Sequence, residues 1–68
     1  MSGIYKMIEV VGTSPVSFAE AVKAGIEEAG KTIHHMAWFE VTDMRGALKD
    51  GKLSEFQVTM KIGFKVER

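Results

Sequence analysis

The feature that most constrains the fold of this chain is the alternation of apolar and polar or small residues over residues 54–66, which is strict from residue 55 onward. A repeat of two is typical of a β-strand with one buried and one solvated face, and it excludes an amphipathic helix over this range. The apolar face comprises Phe56, Val58, Met60, Ile62, Phe64 and Val66, and the other face comprises Glu55, Gln57, Thr59, Lys61, Gly63 and Lys65. We therefore predict a long third strand whose apolar face packs on a helix.

One amphipathic helix is available to cover that face. Ser14 can accept a hydrogen bond from a free backbone N–H at a helix start, and Pro15 suits the first helical position because no N–H is needed there. Gly30 is a typical stop signal. The sequence therefore predicts a helix between these two signals. The residues spaced as one buried helix face are Phe18, Ala21, Val22, Gly25, Ile26 and Ala29.

Two further strands complete the pattern. Residues 4–11 are rich in β-branched and large apolar side chains, and residues 33–45 form a second extended segment. A loop over residues 46–53, containing Asp50-Gly51, joins this segment to the third strand. The predicted fold class is therefore α+β, a single domain over residues 1–68 with the order β-α-β-β. The most economical arrangement is a three-stranded antiparallel sheet wrapped on one helix.

The length of the chain makes assembly an expectation. A domain of 68 residues buries only about 60% of the surface that its unfolded chain exposes. The chain has no cysteine, which excludes disulfides and thiolate metal sites. Adjacent residues on a strand point to opposite faces, so His34 and His35 do not share a metal. Because one helix cannot cover three long strands, we predict a homo-oligomer that covers the free sheet face and edges.

Charge and hydropathy argue against two classes of partner. Nine basic and nine acidic residues are interspersed, so the chain has neither the basic surface of a nucleic-acid-binding protein nor a polybasic run for a membrane. Lys6 and Glu9 interrupt the N-terminal apolar stretch, which is not the pattern of a signal peptide. We expect a cytoplasmic protein.

Motifs for catalysis are missing from the sequence. It contains no G-x-G-x-x-G, P-loop or H-E-x-x-H motif and no convincing Ser-His-Asp order. The turn at residues 12–14 either binds a phosphate through free N–H groups or, more commonly, is an ordinary capped turn. Glu40 and Asp43 are three residues apart on a strand, so we expect them on opposite faces and not as an acid/base pair. We predict that the protein is not an enzyme.

The single tryptophan, Trp38, is predicted to lie on a sheet face that the helix leaves uncovered. Strict alternation along residues 35–42 places it among polar neighbours. An exposed indole loses much of the free energy that burial would give it, so a subunit or a flat ligand should cover it. The expected outward face is Met36, Trp38, Glu40 and Thr42, and the expected core face is His35, Ala37, Phe39 and Val41.

Gln57 is predicted to share that outward face on the neighbouring strand, close to Trp38. An indole can stack on a planar heterocycle while an amide supplies one donor and one acceptor to the ring edge. The alternative is that Trp38 anchors a subunit interface and Gln57 is a solvated strand residue. Taken alone, the pair favours this alternative.

Four short segments carry a resemblance to a known family. They are Val11-Gly12-Thr13-Ser14 before the helix, Trp38-Phe39-Glu40-Val41, Arg45-Gly46, and Phe56-Gln57-Val58. In this order, in a short chain without cysteine, they make the sequence resemble the dodecins, small flavin-binding proteins. The resemblance implies a hollow homododecamer that stores and buffers riboflavin or FMN, protects it from photochemistry, and stacks flavins in pairs between tryptophans. The alternatives are a structural homo-oligomer and a small flavoenzyme subunit.

The resemblance also implies roles for individual residues. It implies that Trp38 stacks on the flavin, that Gln57 binds the edge of the ring and that Asp43 contacts the ribityl chain. Strict alternation, however, puts Asp43 and Trp38 on opposite sheet faces unless a bulge intervenes. Arg45 is implied as a pocket wall or a phosphate partner, or else it forms an interface salt bridge. Bacterial-type members can also hold coenzyme A. The basic residues that offer phosphate contacts, or merely a solvated face, are Lys6, Lys61, Lys65 and Arg68.

Overall fold

Three antiparallel strands and one helix make up the part of the chain that the structure describes. The computed structural model describes residues 3–66. In chain order the elements are β1 (Tyr5–Ser14), α1 (Phe18–Gly30), β2 (Met36–Lys49) and β3 (Lys52–Lys65). The sheet order is β1-β3-β2, and β3 pairs antiparallel with both neighbours. The predicted β-α-β-β order and three-stranded antiparallel sheet are confirmed.

The core lies between α1 and the face of the sheet formed by β1 and β3, which we call the inner face. The alternation predicted for β3 and the apolar face predicted for α1 are both confirmed, because their central residues are buried against each other. Close packing requires small residues at the crossing, since a Cβ on Gly12 would collide with the carbonyl oxygen of Ala21. The buried apolar side chains are Ala21, Ala29, Val58, Met60 and Ile62.

The helix begins later than predicted. Ser17 is the N-cap, and its hydroxyl accepts a hydrogen bond from the backbone N–H of Glu20 at 3.0 Å. Ser14 is instead the last residue of β1, and its hydroxyl accepts from the backbone N–H of Val16 at 3.0 Å. The predictions of Ser14 as cap and Pro15 as first helical residue are therefore wrong. Residues 12–14 pair with β3 as strand, so they do not form a phosphate-binding turn at the helix start.

β2 departs from the strict alternation that was predicted for it. His35 adopts a left-handed backbone with φ of 64°, so His34 and His35 lie in a loop and β2 begins at Met36. A register shift between Met36 and Trp38 then puts these two residues on opposite faces, with Met36 packed against the core. The prediction that they share a face is wrong because a bulge adds one residue to the count.

The hairpin turn is shorter than the predicted loop over residues 46–53. Only Asp50 and Gly51 stand outside the ladder, with φ of 53° and 75°. Positive φ at both central residues is the geometry of the two-residue turns that match strand twist, and it suits an Asp-Gly pair. The strands consequently extend four residues into the predicted loop on one side and two on the other.

The helix leaves β2 beyond Met36 largely uncovered on the inner face. Phe39 and Val41, predicted as core residues, are 46% and 42% exposed, and Met44 is 53% exposed. The fold is elongated, with extents of 53 × 20 × 14 Å, and α1 packs on β1 and β3. The expectation that one helix cannot cover three strands is confirmed. Within residues 3–66 no helix is both long and apolar enough to cross a membrane.

Candidate functional site

Trp38 lies on the face of the sheet opposite the helix, which we call the outer face. It stands opposite Gly63 of the central strand, and its indole rests directly on that glycine. Any side chain at position 63 would collide with the six-membered ring of the indole. Trp38 nevertheless remains 43% exposed. The predicted outward orientation is confirmed, and the glycine gives the ring a flat backbone support.

Tyr5 is a second aromatic residue beside Trp38, and no sequence pattern indicated it. Its ring centroid lies 5.1 Å from that of Trp38, with the planes tilted by 53°. Aromatic pairs are favourable at separations of this size. Tyr5 belongs to β1, where it stands opposite Lys65, and Trp38 belongs to β2, so the two rings meet across the central strand. This aromatic pair with its glycine, defined as Tyr5, Trp38 and Gly63, is one half of the candidate site.

A polar network forms the other half, further along the outer face. Arg45 stands opposite Gln57 and donates from Nε to Gln57 Oε1 at 2.7 Å. Its Nη1 donates to Asp43 Oδ2 at 3.1 Å and to Thr59 Oγ1 at 3.0 Å. Gln57 in turn donates from Nε2 to Glu55 Oε1 at 2.9 Å. The structure thus brings three predicted site residues together and adds Glu55 and Thr59, which the sequence did not single out.

A bulge at Thr42 places Asp43 in this network. The register shifts between Val41 and Asp43, so that Asp43 stands opposite Thr59 on the outer face. Strict alternation would have placed Asp43 on the sheet face that Trp38 does not occupy. The bulge adds one residue to the count, so Asp43 lies on the same face as Trp38. Glu40 stands opposite Lys61 and shares the outer face with Asp43, so the prediction that these two carboxylates lie on opposite faces is wrong.

Trp38 and Gln57 share the outer face but are not neighbours. Trp38 stands opposite Gly63, six positions along β3 from Gln57. At about 3.3 Å per residue, this places the two backbones about 20 Å apart. The predicted proximity is wrong, because the long hairpin separates two residues that alternation assigns to one face. A single ring in contact with both residues must therefore lie between two copies of the chain.

The basic residues predicted as phosphate contacts separate into two places. Lys6 and Lys65 line a surface depression of about 370 Å³ together with His34 and His35. Lys61 lies in the middle of the outer face, opposite residue 9 on one side and residue 40 on the other, both glutamates. Arg68 lies outside the described residues. Within residues 3–66 no group of three or more His, Asp or Glu side chains is placed to hold a metal ion.

Comparison with known proteins gives one consistent result. The model of the Dodecin family matches residues 4–67. Dodecin from Thermus thermophilus is 39% identical over 67 residues, covering 98% of this chain and 97% of that protein. Among solved structures, dodecin from Streptomyces davaonensis superposes with a TM-score of 0.94 at 41% identity, covering 100% of both chains. Dodecin from Streptomyces coelicolor gives a TM-score of 0.93 at 41% identity, covering 97% of this chain and 94% of that one.

Proposed function

Because the chain belongs to the dodecin family, a family of small flavin-binding proteins, we propose that it binds riboflavin or FMN without transforming it. The observation that carries this proposal is the exposed indole of Trp38, supported from beneath by Gly63 and flanked by Tyr5. A flat, electron-rich surface of this kind suits stacking on an isoalloxazine ring. The ring would cover apolar area that the isolated chain leaves in water.

The polar network is the proposed partner of the flavin edge and tail. The isoalloxazine edge presents a carbonyl, an N–H and a second carbonyl, and the amide of Gln57 offers a complementary donor and acceptor. Asp43 carries acceptors for ribityl hydroxyls, and Arg45 carries the positive charge that the phosphate of FMN would prefer. Because these residues lie far from Trp38 along the sheet, the proposed pocket combines Trp38 of one copy with the network of another.

We further propose that the chain assembles into a closed homo-oligomer, specifically a dodecamer. Large apolar residues are exposed on both faces of β2 and along β1, more than a small monomer usually leaves in water. Closed assembly removes free strand edges and covers such surfaces. The exposed apolar residues at issue include Tyr5, Met7, Val11, Trp38, Phe39, Val41 and Met44.

The proposed role is storage, buffering and photoprotection of flavin. An indole stacked on an excited isoalloxazine is an electron donor at contact distance, so it would quench the excited state and suppress its photochemistry. A flavin with Trp38 on one face and a second flavin on the other leaves a substrate no approach for hydride transfer. This arrangement favours a carrier over a flavoenzyme. A cytoplasmic location remains a prediction.

Coenzyme A is a second proposed ligand, at a different place. The depression lined by Lys6, His34, His35 and Lys65 gathers nitrogen-bearing side chains suited to phosphate groups. Titration with coenzyme A, with pantetheine as the control because it lacks the nucleotide phosphates, would test this proposal. We expect binding of coenzyme A alone, weakened by Lys6→Ala. Equal binding of both compounds would contradict a phosphate site.

The flavin proposal is tested by the spectra of the purified protein. Absorbance near 450 nm is characteristic of oxidised flavin in general, and stacking on an indole should leave its fluorescence strongly quenched. We expect acid or heat denaturation to release the flavin and to raise its emission several-fold. A protein that reconstitutes with neither riboflavin nor FMN, while its assembly stays intact, would instead indicate a structural oligomer.

A further inference from the structure

The amide of Gln57 is held on both sides by groups with opposite hydrogen-bonding capacity. Arg45 can only donate, and its Nε donates to Gln57 Oε1 at 2.7 Å. Ionised Glu55 can only accept, and its Oε1 accepts from Gln57 Nε2 at 2.9 Å. Rotating the amide by half a turn would place its NH₂ against the guanidinium and its oxygen against the carboxylate. The two neighbours therefore select one orientation of the amide.

The hydrogen bonds of the network start at Arg45, and one branch continues through Gln57 to Glu55. Asp43 and Thr59 accept from Arg45, which fixes the guanidinium, and the guanidinium donates to Gln57, which donates to Glu55. Chains of this kind polarise one another and strengthen each bond. Glu55 is partly buried at the end of this chain. Its place in the network therefore differs from that of the exposed carboxylate of Asp43, which pairs directly with the arginine.

We propose that Glu55 is a positioning residue that sets the ligand specificity of Gln57. While it is bonded to Arg45 and Glu55, Gln57 keeps one Nε2–H and one lone pair on Oε1 for a ligand. Arg45 and Glu55 determine on which side of the amide this donor and this acceptor lie. Oε1 would accept from the ring N–H of the flavin, and Nε2 would donate to the adjacent carbonyl. This inference rests on the proposed flavin binding, but the orientation of the amide is a property of the ligand-free protein.

The ligand-free test uses a feature of the composition. Gln57 is the sole glutamine of the chain, which has no asparagine, so its side-chain NH₂ gives a single assignable pair of ¹H–¹⁵N signals. In flavin-free protein we expect the two protons to be well separated in shift, with one protected from exchange through its bond to Glu55. Glu55→Ala should bring the signals together and remove the protection, and Glu55→Asp, which keeps a carboxylate and adds no second side-chain amide, should partly restore the protection. Indistinguishable NH₂ signals in the parent and Glu55→Ala would overturn the proposal.

The specificity test compares riboflavin with 3-methylriboflavin, which lacks the ring N–H. The parent should bind riboflavin about tenfold more tightly, the scale expected for one hydrogen bond in a closed site. Glu55→Ala should lose most of this preference, whereas Glu40→Gln, which removes an outer-face carboxylate remote from Gln57, should retain it. If Glu55→Ala weakens both ligands equally, Glu55 has a general structural role and the proposal is wrong. Failure of the parent to bind either ligand would contradict the proposed function, and the NH₂ signals would still decide the orientation.

Discussion

Trp38 and Gln57 lie on the same face of the sheet and yet stand six ladder positions apart, about 20 Å at the usual rise of a strand. An isoalloxazine ring is shorter than this distance, so one chain cannot stack the ring on its tryptophan and bind the ring edge with its amide. The proposed flavin site is therefore complete only if the outer faces of two copies meet. Assembly and flavin binding should therefore be inseparable.

The first prediction follows from that coupling. Val41 is 42% exposed on the inner face and belongs to neither half of the site. Val41→Asp should disrupt assembly while circular dichroism still reports a folded chain, and flavin affinity should fall with the oligomer in sedimentation measurements. Glu27→Gln, on the exposed face of the helix, is the control and should change neither. A monomeric Val41→Asp protein with full flavin affinity would contradict a site built between copies.

The second prediction separates stacking from anchoring at Trp38. Trp38→Phe keeps an aromatic ring but is a poorer electron donor, so bound flavin should be less strongly quenched and somewhat weaker in affinity. Trp38→Ala should lose about 1 to 3 kcal/mol of binding free energy, the range for aromatic stacking on planar bases. Fluorescence titration of both variants measures the effect. If both bind like the parent and only assembly is lost, Trp38 is an interface residue.

The third prediction concerns the support beneath the indole. Gly63→Ala introduces a Cβ that collides with the ring of Trp38, so the ring must move off the central strand. We expect altered emission from the single tryptophan and reduced flavin affinity in a protein that remains folded. Lys61→Ala, on the same strand and face, is the matched control. Unchanged emission and affinity in Gly63→Ala would show that the position of the ring is not critical.

The fourth prediction tests the amide of Gln57. Gln57→Glu replaces the donor with an acceptor, so a carboxylate would face both the flavin carbonyl and Glu55. An unpaired buried polar group costs roughly 1 to 3 kcal/mol, and a charge costs more. We expect a larger loss of affinity for Gln57→Glu than for Gln57→Leu, with the oligomer retained in both. Titrations that superimpose on those of the parent would show that Gln57 does not contact the ring.

The fifth prediction concerns stability. Gly12 packs so closely on the helix that a Cβ would collide with the backbone at Ala21. Gly12→Ala should therefore lower the free energy of unfolding by about 1 to 3 kcal/mol, the usual cost of overpacking. Gly3→Ala, whose Cβ would meet only side-chain atoms at 3.4 Å or more, is the control. Equal denaturation midpoints for the two variants would contradict the packing argument.

The sequence predicted the parts of the fold in which burial on one side sets the pattern. β3 and α1 bury one face against each other, so their periods of two and about 3.6 are visible in the residues. β2 is exposed on both faces, so the apolar and polar residues along it do not follow a burial pattern from which the bulges at residues 37 and 42 could be predicted. Ser14 was predicted as the helix cap, but the structure uses Ser17, three residues later.

The candidate site was predicted as residues but not as an arrangement. Trp38, Asp43, Arg45 and Gln57 all lie on the outer face, yet only the last three are in contact. The distance between Trp38 and the other three residues depends on the pairing register of β2 and β3, which alternation alone does not specify. The contact of Tyr5 with Trp38 depends on the order of strands in the sheet, and Glu55 gains its role from a hydrogen-bond network that no sequence pattern marks.

Stacking of flavin on Trp38 is tested most directly by titrating the flavin-free protein with riboflavin and monitoring the flavin fluorescence. We expect quenching that saturates at about one flavin per chain, because each flavin should stack on one Trp38, and we expect Trp38→Ala to abolish the quenching. Flavin emission that stays unchanged throughout the titration, in a protein shown by sedimentation to be assembled, would rule out stacking of flavin on Trp38.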